Sequence, residues 1–332
     1  MFEYLDSVVD DLKKREAEDR SREAGFFYIR TANECIKDAS KQKVPRDLFH
    51  SLIFEKEITF LFADTGVGKS IFAVQIANEI SSKQKVLYLD LELSEKQFEN
   101  RYSQNYDNHY KFNDNLYRID FQRQFSLPQG VHYDDFFIES IIKLIDKTGA
   151  KIIIIDNMTK LISSDTDSAK SAKPLMDKLC DLKFEYGLTL LLLEHTRKTD
   201  MSRPVTLNDL QGSKMKSNFA DAAFCIGRSS KHKNLRYIKQ LKCRSAEIIY
   251  DASNVPVYEL TKEDSFLKFK FVGYEYEYEH LRYQTEDNDK EQIVSQILEL
   301  KEQGLSNREI AHKLGISEGT VRYRVKSLAN PS

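Results

Sequence analysis

The chain has 332 residues, which at roughly 100–200 residues per domain means two domains or one large domain with appendages. Its 50 basic and 52 acidic residues leave a formal charge of −2, so a nucleic-acid partner must be met by local patches rather than by the whole chain. A hydrophobic content of 41% excludes a disordered chain. The cysteines Cys35, Cys180, Cys225 and Cys243 are scattered with no CxxC pair, and no apolar run is long enough to span a bilayer, so the expectation is a reduced, cytoplasmic chain without membrane contact.

Residues 1–45 are highly charged and read as helical, with Tyr4, Leu5, Val8, Val9 and Leu12 forming one narrow apolar stripe that must pack on the main body or on a neighbouring subunit. From Ile53 short β-rich runs alternate with helical patterns. Strands are expected at Ile58–Phe62, Lys85–Leu91, Lys151–Asp156 and Thr189–Glu194, with helices at Ser70–Ile80, Glu95–Tyr102, 134–148 and Leu175–Tyr186. Strands apolar on both faces that alternate with helices make an α/β domain, a mostly parallel sheet covered on both sides, placed at 46–272. Later strands are expected at Ala222–Ile226, Leu235–Leu241 and Phe266–Val272. The acidic, aromatic stretch 273–289 reads as a linker, and 290–332 as three helices.

The first strand runs into Ala63-Asp64-Thr65-Gly66-Val67-Gly68-Lys69-Ser70, a phosphate-binding loop with alanine where glycine is usual. The chemistry lies in the second half. The N–H groups of Gly66 to Lys69 turn toward phosphates at a helix N-terminus, Lys69 adds charge, and the Ser70 hydroxyl is placed for Mg²⁺. Alanine fits at the first position if its φ is negative. Asp64, Thr65, Gly66, Val67, Gly68, Lys69 and Ser70, with Asp156 on the Mg²⁺ side, form the expected site for ATP. Glu92, just beyond the second strand, is the candidate base that orients and deprotonates water, with Asp90 as its rival.

These residues resemble the RecA-type ATPases, and within them the hexameric helicase branch of DnaB and plasmid RepA proteins, over about Leu48 to Val272. The alanine-led loop, Glu92-Leu93-Ser94, the stretch Glu194-His195-Thr196-Arg197-Lys198 and Lys242-Cys243-Arg244 carry the likeness. The resemblance implies that His195 senses the γ-phosphate and that Lys242 and Arg244 reach the nucleotide of a neighbouring subunit, in a hexameric ring or a filament. It also implies that the loops Asn157–Pro174 and Thr199–Asn218 face a central channel, where Lys160, Lys170, Lys173, Arg203, Lys214 and Lys216 would track single-stranded DNA. His195 is also compatible with a core-edge histidine, and Lys242 and Arg244 with an ordinary surface.

At the C-terminus LSNREIAHKLGISEGTV resembles the helix-turn-helix of LuxR-type regulators. Ser306 and Glu309 make a capping box, and Ser317 caps the last helix. Val321, Val325 and Leu328 face inward, leaving Thr320, Arg322, Tyr323, Arg324 and Lys326 to meet duplex DNA. The expected function is an oligomeric, DNA-binding ATPase, a replication ATPase or helicase of a plasmid or mobile element. The alternative is an ATP-switched DNA-binding regulator or a defence ATPase that unwinds nothing.

Overall fold

The computed structural model describes residues 21–122, 126–161, 169–196, 200–210, 213–282, 285–314 and 316–329. Two compact units divide between Arg46 and Asp47. In the first, β1 (Glu23–Ala24) and β2 (Phe27–Tyr28) pair antiparallel around Gly25, whose φ of 61° makes the turn, and α1 (Ala32–Ala39) starts at a Thr31/Glu34 capping box. The described part of the segment read as helical thus holds a hairpin before its helix. The stripe from Tyr4 to Leu12 lies outside the described residues.

The second unit opens with the small pair β3 (Asp47–Phe49) and β4 (Ile53–Phe54). Then follow β5 (Ile58–Ala63), α2 (Lys69–Ser81), β6 (Val86–Asp90), α3 (Glu95–Arg101), the short strands β7 (Ser103–Gln104) and β8 (Asn108–His109), and β9 (Leu116–Asp120). After these come α4 (Tyr133–Thr148), β10 (Ile152–Asp156), α5 (Ala169–Tyr186), β11 (Thr189–His195) and α6 (Ser213–Phe219). The antiparallel end is β12 (Ala222–Arg228), β13 (Leu235–Cys243), β14 (Val255–Glu263) and β15 (Phe266–Glu275).

Among the described residues one nine-stranded sheet has the order β15-β14-β13-β12-β5-β11-β10-β6-β9. From β12 to β9 neighbouring strands run parallel, and β13 to β15 extend the sheet as antiparallel strands. Side-chain alternation sends Leu61, Tyr88, Ile154 and Leu193 to the face covered by α2, where they meet Phe72 and Ile76. Phe60, Leu87, Ile153 and Leu192 go to the opposite face, against Ile141 of α4 and Leu179 of α5. This is the RecA-like arrangement that the sequence led us to expect.

The stretch expected to be a linker is ordered over most of its length. Gly273–Glu275 finish β15, a short 3-10 turn spans Glu277–His280, and Glu277 and His280 are buried. A Tyr/Glu alternation has a strand's period, which explains why the sheet continues into it. The last three helices are α7 (Thr285–Glu302), α8 (Asn307–Leu314) and α9 (Glu318–Ala329), joined through Ile297, Leu300, Ile310, Ala311 and Val321. Ser306 and Glu309 bond reciprocally across the start of α8, and the Ser317 hydroxyl accepts the Thr320 N–H at 3.0 Å. Among the described residues no helix is long and apolar enough to cross a membrane.

Candidate active site

Parallel strands deliver their C-terminal ends to one edge of the sheet, and there β5, β6, β10 and β11 bring the candidate residues together. Ala63 is the last residue of β5, paired in register with His195, and its backbone is extended. That answers the missing glycine: the left-handed conformations fall later, at Gly66 (φ 71°) and Gly68 (φ 112°). Gly68 also caps α2, so the loop N–H groups lie at the positive end of a 13-residue helix.

Gly68→Ala is expected to lower nucleotide affinity, because alanine pays on the order of 1–3 kcal/mol at such a φ. Its Cβ would also meet the Phe269 ring at 3.0 Å. Titration with a fluorescent ATP analogue measures this, and unchanged affinity would show that the loop tolerates a side chain there.

Lys69 is buried, and its ammonium donates to the carbonyls of Ala63 (2.8 Å) and Asp64 (3.1 Å). It also lies 3.2 Å from His195 Nδ1. Burial lowers the lysine's pKa, against the pull of Asp156, Glu92, Asp64 and Glu194. Burial and then Lys69 push His195 down in turn, which keeps the imidazole neutral. Its Nε2 faces Asn157 Nδ2 at 3.3 Å, and that same amide donates to Glu92 Oε1 at 2.6 Å. A row of polar contacts therefore runs from Glu92 through Asn157 and His195 to Lys69, and His195 closes one of its two links at a time. A neutral imidazole has one acceptor nitrogen, so Lys69 and Asn157 cannot both donate to His195 at once.

Asp156 ends β10 level with Asp90 of β6 and is followed by a cis peptide to Asn157. Its carboxyl accepts from the Tyr88 hydroxyl at 2.6 Å and bonds to Ser70. Full burial pushes it up to about 6 against those two bonds. A hydroxyl and a carboxylate in contact at the start of α2 are hard oxygen donors of the type Mg²⁺ takes. Among the described residues no cluster of three His, Cys, Asp or Glu could hold a metal by itself. Mg²⁺ is usually held by one or two side chains and completed by phosphates and water.

The two candidate bases differ sharply. Asp90 is buried and accepts from the N–H groups of Glu92 (3.2 Å) and Leu93 (2.9 Å) and from Arg118 Nε (2.9 Å). It shapes the turn that presents Glu92. Glu92 is exposed and lines an open cleft of about 510 Å³ with Asp90, Ser94 and Asp120. Ser94 caps α3 in a box with Gln97.

Lys242 and Arg244 do not join this group. Cys243 pairs with Ala222, which is level with Thr59 at the start of β5, so this pair sits at the edge opposite the phosphate loop. Along β5 alone the separation from Thr59 to Ala63 is four steps, about 13 Å. Lys242 donates to the Ser217 carbonyl (2.7 Å) and Arg244 to Asp221 (3.1 Å).

The channel cations also need correction. Lys216 is buried in an ion pair with Glu194, Arg203 grips Asp209 with two bonds, and Lys173 pairs with Asp177 at 2.6 Å. Of these three, Lys216 is taken out of solvent by a carboxylate on another element, which composition alone does not reveal, whereas Lys173 and Arg203 keep 62% and 47% of their side chains exposed. Lys160 is exposed, while the side chains of Lys170 and Lys214 lie outside the described residues. Of the DNA-facing set, Arg322 is exposed and reaches Glu318 at 2.8 Å, and Thr320 bonds to Ser317. The side chains of Tyr323, Arg324 and Lys326 lie outside the described residues. Sequence reasoning missed Asn157, Tyr88 and Arg118 as members of the site. Only the position of Asn157, directly after a strand-ending Asp156, offered a signal.

The family model of the AAA domain matches residues 30–201, and that of a winged helix-turn-helix DNA-binding domain matches 291–330. Among solved structures, a KaiC-like protein from the hyperthermophilic archaeon Pyrococcus horikoshii OT3 is similar at 15% identity and a TM-score of 0.47. The match covers 65% of this chain and 90% of that one. No curated protein matches the chain.

Proposed function

This chain belongs to the AAA domain family, and on that premise we propose that it is an oligomeric ATPase that works on DNA, of the plasmid RepA and DnaB type. The observation that carries the reading is the polar chain from Glu92 through Asn157 and His195 to Lys69. It ties a solvent-facing carboxylate to the phosphate loop. Glu92 takes the proton of the attacking water, and Asn157 holds that carboxylate in place. Lys69 leaves the Ala63 and Asp64 carbonyls for the β- and γ-phosphates, and its departure lets His195 carry its proton on Nδ1, which donates to the γ-phosphate while Nε2 accepts from Asn157. Ser70 and Asp156 would hold Mg²⁺, which supplies charge neutralisation to the phosphates when bound. Lys242 and Arg244 serve a neighbouring subunit of a ring or filament.

The winged helix-turn-helix match supports duplex binding through α9, with Thr320, Arg322, Tyr323, Arg324 and Lys326 as contacts. Ending the chain after Arg282, beyond the buried Glu277 and His280, is expected to preserve ATP turnover while weakening duplex binding. Arg322→Ala with Arg324→Ala in the full chain should lower duplex affinity at least about tenfold and flatten its fall with salt. Undiminished duplex binding by the shortened chain would reassign the three helices to protein contact.

A second reading is an ATP-switched DNA-binding regulator or defence ATPase. The burial of Lys216 in its ion pair with Glu194 favours it, because it removes a charge from a channel that would track a single strand. ATP turnover measured with and without single-stranded DNA, together with opening of a forked duplex, decides between the two. Stimulation and unwinding support the motor. Turnover indifferent to single strands leaves the regulator.

A further inference from the structure

On the α2 face of the sheet, Arg228 at the end of β12 and Arg236 near the start of β13 are direct cross-strand partners. Both reach the phosphate loop. Arg228 Nη2 donates to the Thr65 carbonyl at 2.6 Å, and Arg236 Nε donates to the Val67 carbonyl at 2.8 Å. Arg236 is buried and spends Nη1 on the carbonyls of Lys233 (2.8 Å) and Leu235 (2.7 Å). Arg228 is half-buried and lines a cleft of about 180 Å³ with Asp64, Val67 and Tyr237. Among the described residues neither guanidinium forms an ion pair with a carboxylate.

Like charges directly across a strand pair destabilise it, and here the repulsion is left standing beside the site of a polyphosphate. Burial and the nearness of Arg228 both lower the pKa of Arg236, which reports the same repulsion. The two bonds also have a geometric effect. A peptide whose carbonyl is drawn outward presents its N–H inward. Fixing the carbonyls of Thr65 and Val67 therefore aims the N–H groups of Gly66 and Gly68 into the loop.

We infer that Arg228 and Arg236 are positioning residues of the nucleotide site. They hold the loop open from outside, and the mutual repulsion they carry is relieved when phosphates enter. The inference rests on the nucleotide-site reading above. It assigns part of the affinity to residues more than 150 positions from the loop, outside the matched AAA segment.

The test is Arg228→Gln in the full chain, measured by ATP-analogue affinity and by melting temperature with and without nucleotide. A merely structural arginine predicts a lower melting point for the nucleotide-free protein. A positioning arginine predicts an unchanged or higher one, because repulsion is lost, together with about tenfold weaker binding and a smaller nucleotide-induced shift. Arg228→Lys, which keeps the charge and one donor, should recover most of the affinity. Unaltered affinity in Arg228→Gln, or a loss that tracks a fall in nucleotide-free melting temperature, overturns the inference. Wild type and Lys69→Ala run alongside: wild-type protein that binds no ATP defeats the nucleotide site itself, whereas normal wild-type binding isolates the result to Arg228.

Discussion

Glu92→Gln is expected to bind ATP as the wild type does and to hydrolyse it some 10²–10⁴-fold more slowly, the usual worth of a positioned general base. The substitution is a clean one here. Asn157 donates to Glu92 Oε1 at 2.6 Å, and glutamine keeps an oxygen to accept that bond, so basicity is removed while the bond to Asn157 is kept. Lys69→Ala acts on a different step. It deletes the only charge on the loop itself that can reach the phosphates, and loss of such a donor costs on the order of 10²–10³ in rate or more, together with affinity. Asp90→Asn tests the rival. Because Asp90 is tied to Arg118 and to two backbone N–H groups, its replacement should lower the melting temperature and impair turnover only through the turn that carries Glu92. Steady-state turnover and equilibrium nucleotide binding on the three variants separate the roles. Wild-type turnover in Glu92→Gln removes Glu92 as the base.

How much of this was legible in the sequence depended on the range of the interactions. Ile152–Ile155 and Leu190–Leu193 are apolar without alternation, and that pattern reports burial on both faces, so the central parallel strands were readable from local sequence. The capping box of Ser306 with Glu309 and the cap at Ser317 are also local and were equally plain, whereas the box at Ser94 was not read from the sequence. What escaped was weakly patterned or long-range. β9 is a half-buried edge strand with a central arginine, and β14 carries Pro256 as its second residue, so neither shows a strong strand signal. The helix α5 continues N-terminal to Pro174, where a proline suggests a start. Within the site, the loop, Glu92 and Asp156 were named because each follows an apolar strand, and His195 through the resemblance to the RecA-type ATPases. Asn157 was not, because its contacts with Glu92 and His195 form only once β6, β10 and β11 are side by side, and the two arginines on the Thr65 and Val67 carbonyls were not, because register between β12 and β13 decides their positions. Lys216 failed as a channel cation for a related reason. Lys216 and Glu194 are far apart in sequence and meet only once β11 and α6 pack.

Mixing Arg244→Ala with Lys69→Ala is expected to restore a fraction of the turnover that each variant lacks alone. Arg244 lies at the edge of the sheet opposite its own phosphate loop, so it cannot serve the nucleotide bound to its own chain. In a ring or filament that edge can face a neighbour, and an arginine supplied in trans is worth on the order of 10³–10⁵ in phosphoryl transfer. Its present partner does not forbid this. The Arg244 side chain is 54% exposed, and an exposed ion pair such as that with Asp221 is worth at most about 1 kcal/mol. Asp221 keeps Lys183 and the Ile58 N–H when the arginine leaves. Arg244→Ala should therefore bind ATP with little change and hydrolyse it poorly, and wild-type specific activity should rise with protein concentration as subunits assemble. In a mixture, interfaces that combine an intact Lys69 with an intact Arg244 regain activity, whereas interfaces between two identical variants do not. Lys242→Ala should share the defect in weaker form, since Lys242 contributes a second charge two residues away on the same strand face. Turnover independent of concentration, with no recovery on mixing, would place the whole active site within one chain and leave Arg244 as a brace for Asp221.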